Sequence, residues 1–208
     1  MLSFSHLKSF ALACAAAVSL SLSVAFAAPK DDSFDPLTAS IEENINNPVV
    51  GKKQKVAVAN AMANVERSIK ETGLAVTRVR DGEVLLVTIP CDRLFAPNSS
   101  VLREDAGQKL LPLLPYVKRS DSFKVVVAVH SDDTGDAQYT DQLTADRATA
   151  VDEFFSRHTT SSETGIIPYG LGTDEPVAPN TGIHNRAANR RVEIYFIPTA
   201  TFISKAKK

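Results

Sequence analysis

Apolar and polar positions along the chain alternate in several distinct rhythms. In QKVAVANAMANVERSIKETG, Val58, Met62, Val65 and Ile69 recur at helical spacing, and the run stops at Gly73, a residue suited to a helix C-cap. The pattern predicts a helix with that stripe on the core. LAVTRVR and EVLLVTI flank Asp81-Gly82, a dipeptide favoured in tight type I′ turns, and so predict an antiparallel hairpin. From Glu104, the residues Ala106, Leu110, Leu113, Leu114 and Val117 again fit a helix, which Pro112 and Pro115 should kink or shorten.

FKVVVAV, Phe123 to Val129, is a continuous apolar run rich in β-branched residues and reads as a strand covered on both faces. Thr144 is expected to cap a further helix whose buried face carries Ala148, Val151 and Phe155. GIIPYG and RVEIYFI supply two more strands. The order helix, hairpin, helix, strand, helix, strand, strand predicts an α/β (α+β) sandwich, with helices packed on one mixed parallel and antiparallel sheet.

The two ends follow other rules. Lys8 is the one formal charge among the first 28 residues, an apolar run follows it, and Ala25-Phe26-Ala27 gives an A-x-A cleavage pattern, so residues 1–27 read as a secretory signal peptide. Residues 28–53 are polar, broken by prolines and without sustained periodicity, which predicts a flexible linker. Residues 54–83 then carry the N-terminal helix and the first hairpin strand, residues 84–198 the main domain, and residues 199–208 a basic tail.

Composition narrows the choice of function. With 44% apolar and 23% charged residues in 208, the chain is that of a soluble globular protein with one core. The net charge of −1 becomes −2 once Lys8 leaves with the signal, so no basic excess points to nucleic acid or an anionic membrane surface. Cys14 leaves as well, so Cys91 has no intramolecular disulfide partner and reads as a buried, inert thiol.

The candidate chemistry lies in HSDDTGDAQYTDQLTADRATAV, His130 to Val151. Asp132 sits just past a strand end, and Arg147 is expected in the first turn of the helix capped by Thr144. In a strand-to-helix crossover both ends face one side of the sheet, where ligands of open α/β sheets collect. A carboxylate beside a guanidinium there suits a zwitterion: Asp132 accepts from an ammonium, Arg147 forks onto a carboxylate, and the helix N-terminus adds attraction for the anion. The same spacing also allows the two charges to pair with each other or to be solvated in the loop.

Four blocks carry a resemblance. H-S-D-D-T-G from His130, L-T-A-D-R-A from Leu143, Gly170-Leu171-Gly172 with Pro176, and N-R-R-V-E from Asn189 follow one another in the order that resembles the OmpA-like peptidoglycan-binding domain, and LFAPNSSVL from Leu94 is similar to that family's first signature loop. The resemblance covers about residues 84 to 198. It implies a non-catalytic module of the periplasm or outer-membrane-associated envelope that binds the meso-diaminopimelate of peptidoglycan stem peptides and so tethers or organises the envelope, with envelope proteins as further partners and no cofactor or metal. By position, Asp132 and Arg147 match the aspartate and arginine that grip the free amino-acid end of diaminopimelate. Asn98 matches a pocket-lining asparagine, and Arg190 the first arginine of the asparagine-arginine-arginine block, which the resemblance implies is a second contact for stem-peptide carboxylates. Thr140 departs from the pattern, standing where the family usually has asparagine, and a hydroxyl offers one donor where an amide offers two.

Three other readings compete. A metal enzyme built on His130 with Asp132, Asp133 or Asp136 lacks the closing Glu of an EF-hand loop, and no HExxH occurs. An OmpA-fold interaction module that has lost its ligand is the alternative that Thr140 keeps open. An eight-stranded outer-membrane barrel needs about 9–11 residues per strand, more than residues 28–83 provide.

Overall fold

The computed structural model describes residues 34–159 and 165–206. The expected signal peptide lies outside the described residues. The elements, in chain order, are α1 (Ile41–Asn46), α2 (Lys55–Lys70), β1 (Ala75–Val79), β2 (Val84–Pro90), α3 (Gly107–Leu110), α4 (Leu114–Val117), β3 (Phe123–His130), α5 (Ala137–Arg157), β4 (Ile166–Gly170), α6 (Ile183–Asn189), β5 (Arg191–Pro198) and α7 (Ala200–Lys205). The strands form one sheet in the order β1-β2-β5-β3-β4. Only β3 and β4 run parallel, with α5 lying between them in sequence; the other neighbours are antiparallel. The architecture is the expected sandwich of helices on one mixed sheet.

Strand alternation sorts the side chains to two faces. Val125, Val127 and Val129 of β3, with Val192, Ile194 and Phe196 of β5, enter the larger core, where they meet Val58, Met62 and Ile69 of α2 and Ala148, Val151 and Phe155 of α5. The opposite face carries Val84, Val126, Ile167 and Ile197, packed against Ile41 and Ile45 of α1. β3 is thus covered on both faces, which is why its sequence is apolar without alternation.

The expected linker carries α1 between residues 41 and 46. Ser40 and Glu43 form a reciprocal capping box there, which secures a helix too short to show apolar periodicity. Asn44 is buried beneath it, donating to the Pro36 carbonyl and the Tyr169 hydroxyl, both at 2.7 Å. The tail likewise begins as a helix: the Thr199 hydroxyl caps α7, and Phe202 packs against Phe123.

The hairpin turn is longer than a two-residue I′ turn. β1 and β2 pair at Val79 and Val84, leaving Arg80 to Glu83 as the connection, with positive φ at Arg80, Asp81 and Gly82. Arg80 and Glu83 pair at 3.1 Å, and Arg80 also donates to the Ile45 carbonyl at 2.7 Å, so the turn is shaped around the buried Glu83 carboxylate. Pro112 and Pro115 break the helix after Glu104 as expected, into α3, a 3₁₀ turn at Leu111–Leu113 and α4.

The largest correction concerns α5. Its cap is Asp136, whose carboxylate accepts from the Tyr139 N–H at 2.8 Å, and the helix starts at Ala137, two turns before Thr144. The hydroxyls of Thr140 and Thr144 donate back to helix carbonyls, at 3.0 Å to Ala137 and 2.9 Å to Thr140, so polar residues occupy the buried stripe. That hides the first two turns from a hydrophobicity pattern. Arg147 therefore lies in the middle of the helix, more than two turns from the N-terminus of α5.

Gly170 and Gly172 set how closely α5 lies on β4. A β-carbon at Gly170 would stand 2.2 Å from the Ala145 nitrogen, and one at Gly172 would stand 2.0 Å from the Asp141 Oδ1. Gly172 also donates its N–H to the Thr144 hydroxyl at 2.9 Å, and its carbonyl accepts from Ser131 at 2.6 Å. The helix, the β4 loop and the end of β3 are thereby locked together beside Asp132.

Candidate ligand-binding site at the end of β3

The loop after β2 begins the site. Ser99 closes a turn onto the Ala96 carbonyl, with Pro97 and Asn98 in the two central positions and Asn98 at φ 54°, a conformation that asparagine tolerates. This turn presents the Ala96 and Ser99 carbonyls to Arg147. The Arg147 Nε donates to Ser99 at 2.8 Å and Nη2 to Ala96 at 3.4 Å, while the guanidinium lies 5.0 Å from the Phe95 ring centroid. Arg147 is 4% exposed and, among the described residues, has no carboxylate within ion-pair distance. Its position is fixed by neutral groups, leaving its charge without a neutralising partner among the described residues.

Asp132 faces the same cleft from the end of β3 and is 2% exposed. Its Oδ1 accepts from the Thr134 N–H at 3.0 Å, and its Oδ2 pairs with the Arg190 guanidinium. Arg190 comes from the junction of α6 and β5. Its N–H donates to the Arg186 carbonyl at 3.1 Å, and its carbonyl accepts from Cys91 at 3.0 Å, so its backbone is held from both sides.

The cleft encloses about 270 Å³. It brings together Asp132, Arg147, Asn98 and Arg190 of the five expected site residues. Thr140 is placed elsewhere: it is fully buried, its hydroxyl donates to helix carbonyls, and it is not among the residues lining the cleft. Sequence reasoning missed Phe95, Tyr139 and Leu143 as lining residues. Tyr139, Leu143 and Arg147 stand four residues apart on one face of α5, a stripe that becomes legible once the helix is started at Asp136.

The other acids of the loop have separate roles. Asp133 pairs with Arg186 at 2.7 Å, and the Arg186 guanidinium holds its carboxyl below the usual range. Asp136 caps α5. His130 is buried on the far side of the sheet, with Nε2 3.3 Å from Glu193. Burial alone would raise the Glu193 carboxyl, but hydrogen bonding with His130, Tyr195 and Arg191 brings it down to about 2. The donors that a metal reading needs are thus dispersed among other partners. Burial pushes the Cys91 thiol up to about 11, which makes it a poor nucleophile.

Asn189 completes the support. Its side chain exchanges hydrogen bonds with both backbone groups of Ala178, at 3.0 and 2.8 Å, and Arg191 donates to the Glu175 carbonyl at 3.2 Å. The N-R-R-V-E block thus divides its work. Asn189, Arg191 and Glu193 fold the loop before α6, while Arg190 alone reaches the cleft.

A mixed sheet covered by helices, closed at a strand end by a carboxylate and two guanidiniums, defines a small polar binding module. A model of the OmpA family matches residues 94–190. A solved structure described as the cell wall anchor of the T6SS from Pseudomonas aeruginosa is 30% identical, with a TM-score of 0.54, covering 68% of this chain and 96% of that one. The chain belongs to the OmpA family. A putative MotB-like protein from Desulfovibrio vulgaris shares the fold, with a TM-score of 0.61 at 24% identity, over 70% of this chain and 96% of that one. The curated relative "Probable lipoprotein YiaD" of Escherichia coli is 27% identical over 65% of this chain, which spans 61% of that protein's length. Among the described residues no helix is long and apolar enough to cross a membrane.

Proposed function

We propose that this domain binds peptidoglycan without catalysing a reaction, taking the free amino-acid end of diaminopimelate in the cleft between Asp132 and Arg147. The observation that carries the proposal is Arg147, a buried guanidinium pinned by two carbonyls and an aromatic ring and lacking a carboxylate partner among the described residues. Such a group calls for an anion, and the buried Asp132 beside it, which already holds the Arg190 guanidinium, can accept from a ligand ammonium. A zwitterionic amino-acid end satisfies both. Membership in the OmpA family and the likeness to a cell wall anchor support the cell wall as the source of that ligand. Asn98 and Tyr139 border the cleft as further contacts.

With a signal peptide ahead of it, the domain would work in the periplasm, tethering or organising the cell envelope. Co-sedimentation with isolated sacculi tests the reading. Diaminopimelate-type sacculi should retain the protein, and free diaminopimelate should release it. Equal retention on lysine-type sacculi, or none on either, refutes it. The second outcome would leave the ligand-free interaction module.

A further inference from the structure

We propose that Arg190 is an exchangeable counter-ion, holding the Asp132 carboxylate until a ligand ammonium takes its place and then turning to the ligand's carboxylate. This inference rests on the reading of the cleft as a zwitterion site.

The two guanidiniums of the cleft are held in opposite ways. Arg147 is 4% exposed and is fixed by the Ser99 and Ala96 carbonyls and the Phe95 ring. The Arg190 side chain is 42% exposed, and among the described residues its ion pair with Asp132 runs through Nη1 alone. A one-armed pair on a half-exposed side chain is weak and mobile compared with a two-armed fork. Asp132 itself cannot follow Arg190 outward, because its Oδ1 is tied to the Thr134 N–H. If the pair opens, the arginine moves and the carboxylate stays.

The surroundings allow that movement without loss of the loop. The Arg190 backbone is hydrogen-bonded to Arg186 and Cys91, so its side chain turns on a fixed support. One helical turn earlier, Arg186 holds Asp133 at 2.7 Å, a separate link between α6 and the loop after β3 that the exchange leaves intact.

Exchange makes Arg190 a specificity device. An amine without a carboxylate must displace Arg190 from Asp132 and gives it no new partner. A zwitterion displaces it and then receives it, together with Arg147, on the carboxylate. Simple amines are therefore disfavoured by competition, without a steric barrier.

The test compares the wild-type protein with Arg190→Gln and Arg190→Lys by titration with three probes. These are meso-diaminopimelate, 1,5-diaminopentane (the same chain without carboxylates) and pimelate (the same chain without ammoniums). Arg190→Gln should bind diaminopentane roughly two- to fivefold more tightly than wild type, the worth of a half-exposed ion pair, and pimelate more weakly. Arg190→Lys should keep the wild-type order of preference. In the wild-type protein, the Arg190 side-chain N–H resonance should shift as diaminopimelate is added. Exchange is overturned if wild type binds diaminopimelate while Arg190→Gln weakens all three probes alike, or if the Arg190 resonance does not move. Failure of wild type to bind diaminopimelate at all would remove the zwitterion reading and this inference with it.

Discussion

Arg147 and Asp132 line one cleft without pairing: the guanidinium donates to the Ser99 carbonyl at 2.8 Å, and the carboxylate is held by Thr134 and Arg190. Replacing either residue should therefore have different side effects. Truncating a buried charge partner typically costs about 2–5 kcal/mol of binding, so Asp132→Ala and Arg147→Ala should each weaken retention on sacculi by tens-fold or more. Arg147→Ala should also lower the melting temperature, because the Ala96–Ser99 turn and the Phe95 ring lose their shared partner. Arg147→Lys should restore little, since an ammonium cannot serve two carbonyls and stack in the same way. Sedimentation and thermal melts on the same preparations separate the two effects.

Thr140→Asn tests whether the family's amide can be restored. The threonine is fully buried and its hydroxyl is turned into α5. An amide of similar volume but different shape loses the hydroxyl's bonds to the helix carbonyls and buries polar groups that need new partners, so it should destabilise the fold by about 1–3 kcal/mol without tightening binding. A variant that binds sacculi more tightly and melts no earlier would show that the amide reaches the cleft.

Gly170→Ala should be among the most damaging single changes in the chain. The added methyl would meet the backbone of Ala145, at 2.2 Å from its nitrogen, and a backbone cannot rotate away as a side chain can. Displacing α5 from β4 should cost about 2–3 kcal/mol or more, read as a shift in the urea midpoint. Because α5 carries Arg147, Tyr139 and Leu143, binding should fall even in the fraction that stays folded.

Glu193 should make the fold acid-sensitive. Its folded pKa of about 2 lies below the ordinary 4.5, so its ionised form is stabilised by folding. The contribution is fully present above the unfolded pKa and is lost as pH falls from there through the folded value. Chemical denaturation of wild type should show stability declining between about pH 5 and about pH 2. Glu193→Gln should be less stable near neutral pH and decline less over that window. Parallel curves would mean that other carboxylates govern the acid limb.

The succession of helices and strands along the chain, and their packing as helices on one mixed sheet, were legible in the sequence because each element had a period of its own. The Val58 to Ile69 stripe reads as a helix laid on a core, and the short Phe123 to Val129 run, rich in β-branched residues, as a strand covered on both sides. The position of Asp132 at the end of the sheet was legible as well, since it follows such a strand. The start of α5 was not, because Thr140 and Thr144 are buried yet polar and meet their hydrogen-bonding needs within their own helix. α1 escaped notice because six residues are too few for a period, and its stability comes from a capping box and from contacts with β-strands distant in sequence. The partners of the charges were decided by tertiary structure alone. Nothing local indicates that Arg147 will meet the Ser99 carbonyl 48 residues away, or that Arg190 will reach Asp132 across 58. Spacing can bring charges to one end of a sheet, but choosing among neighbouring donors and acceptors depends on angstrom-scale geometry that exists only once the chain has folded.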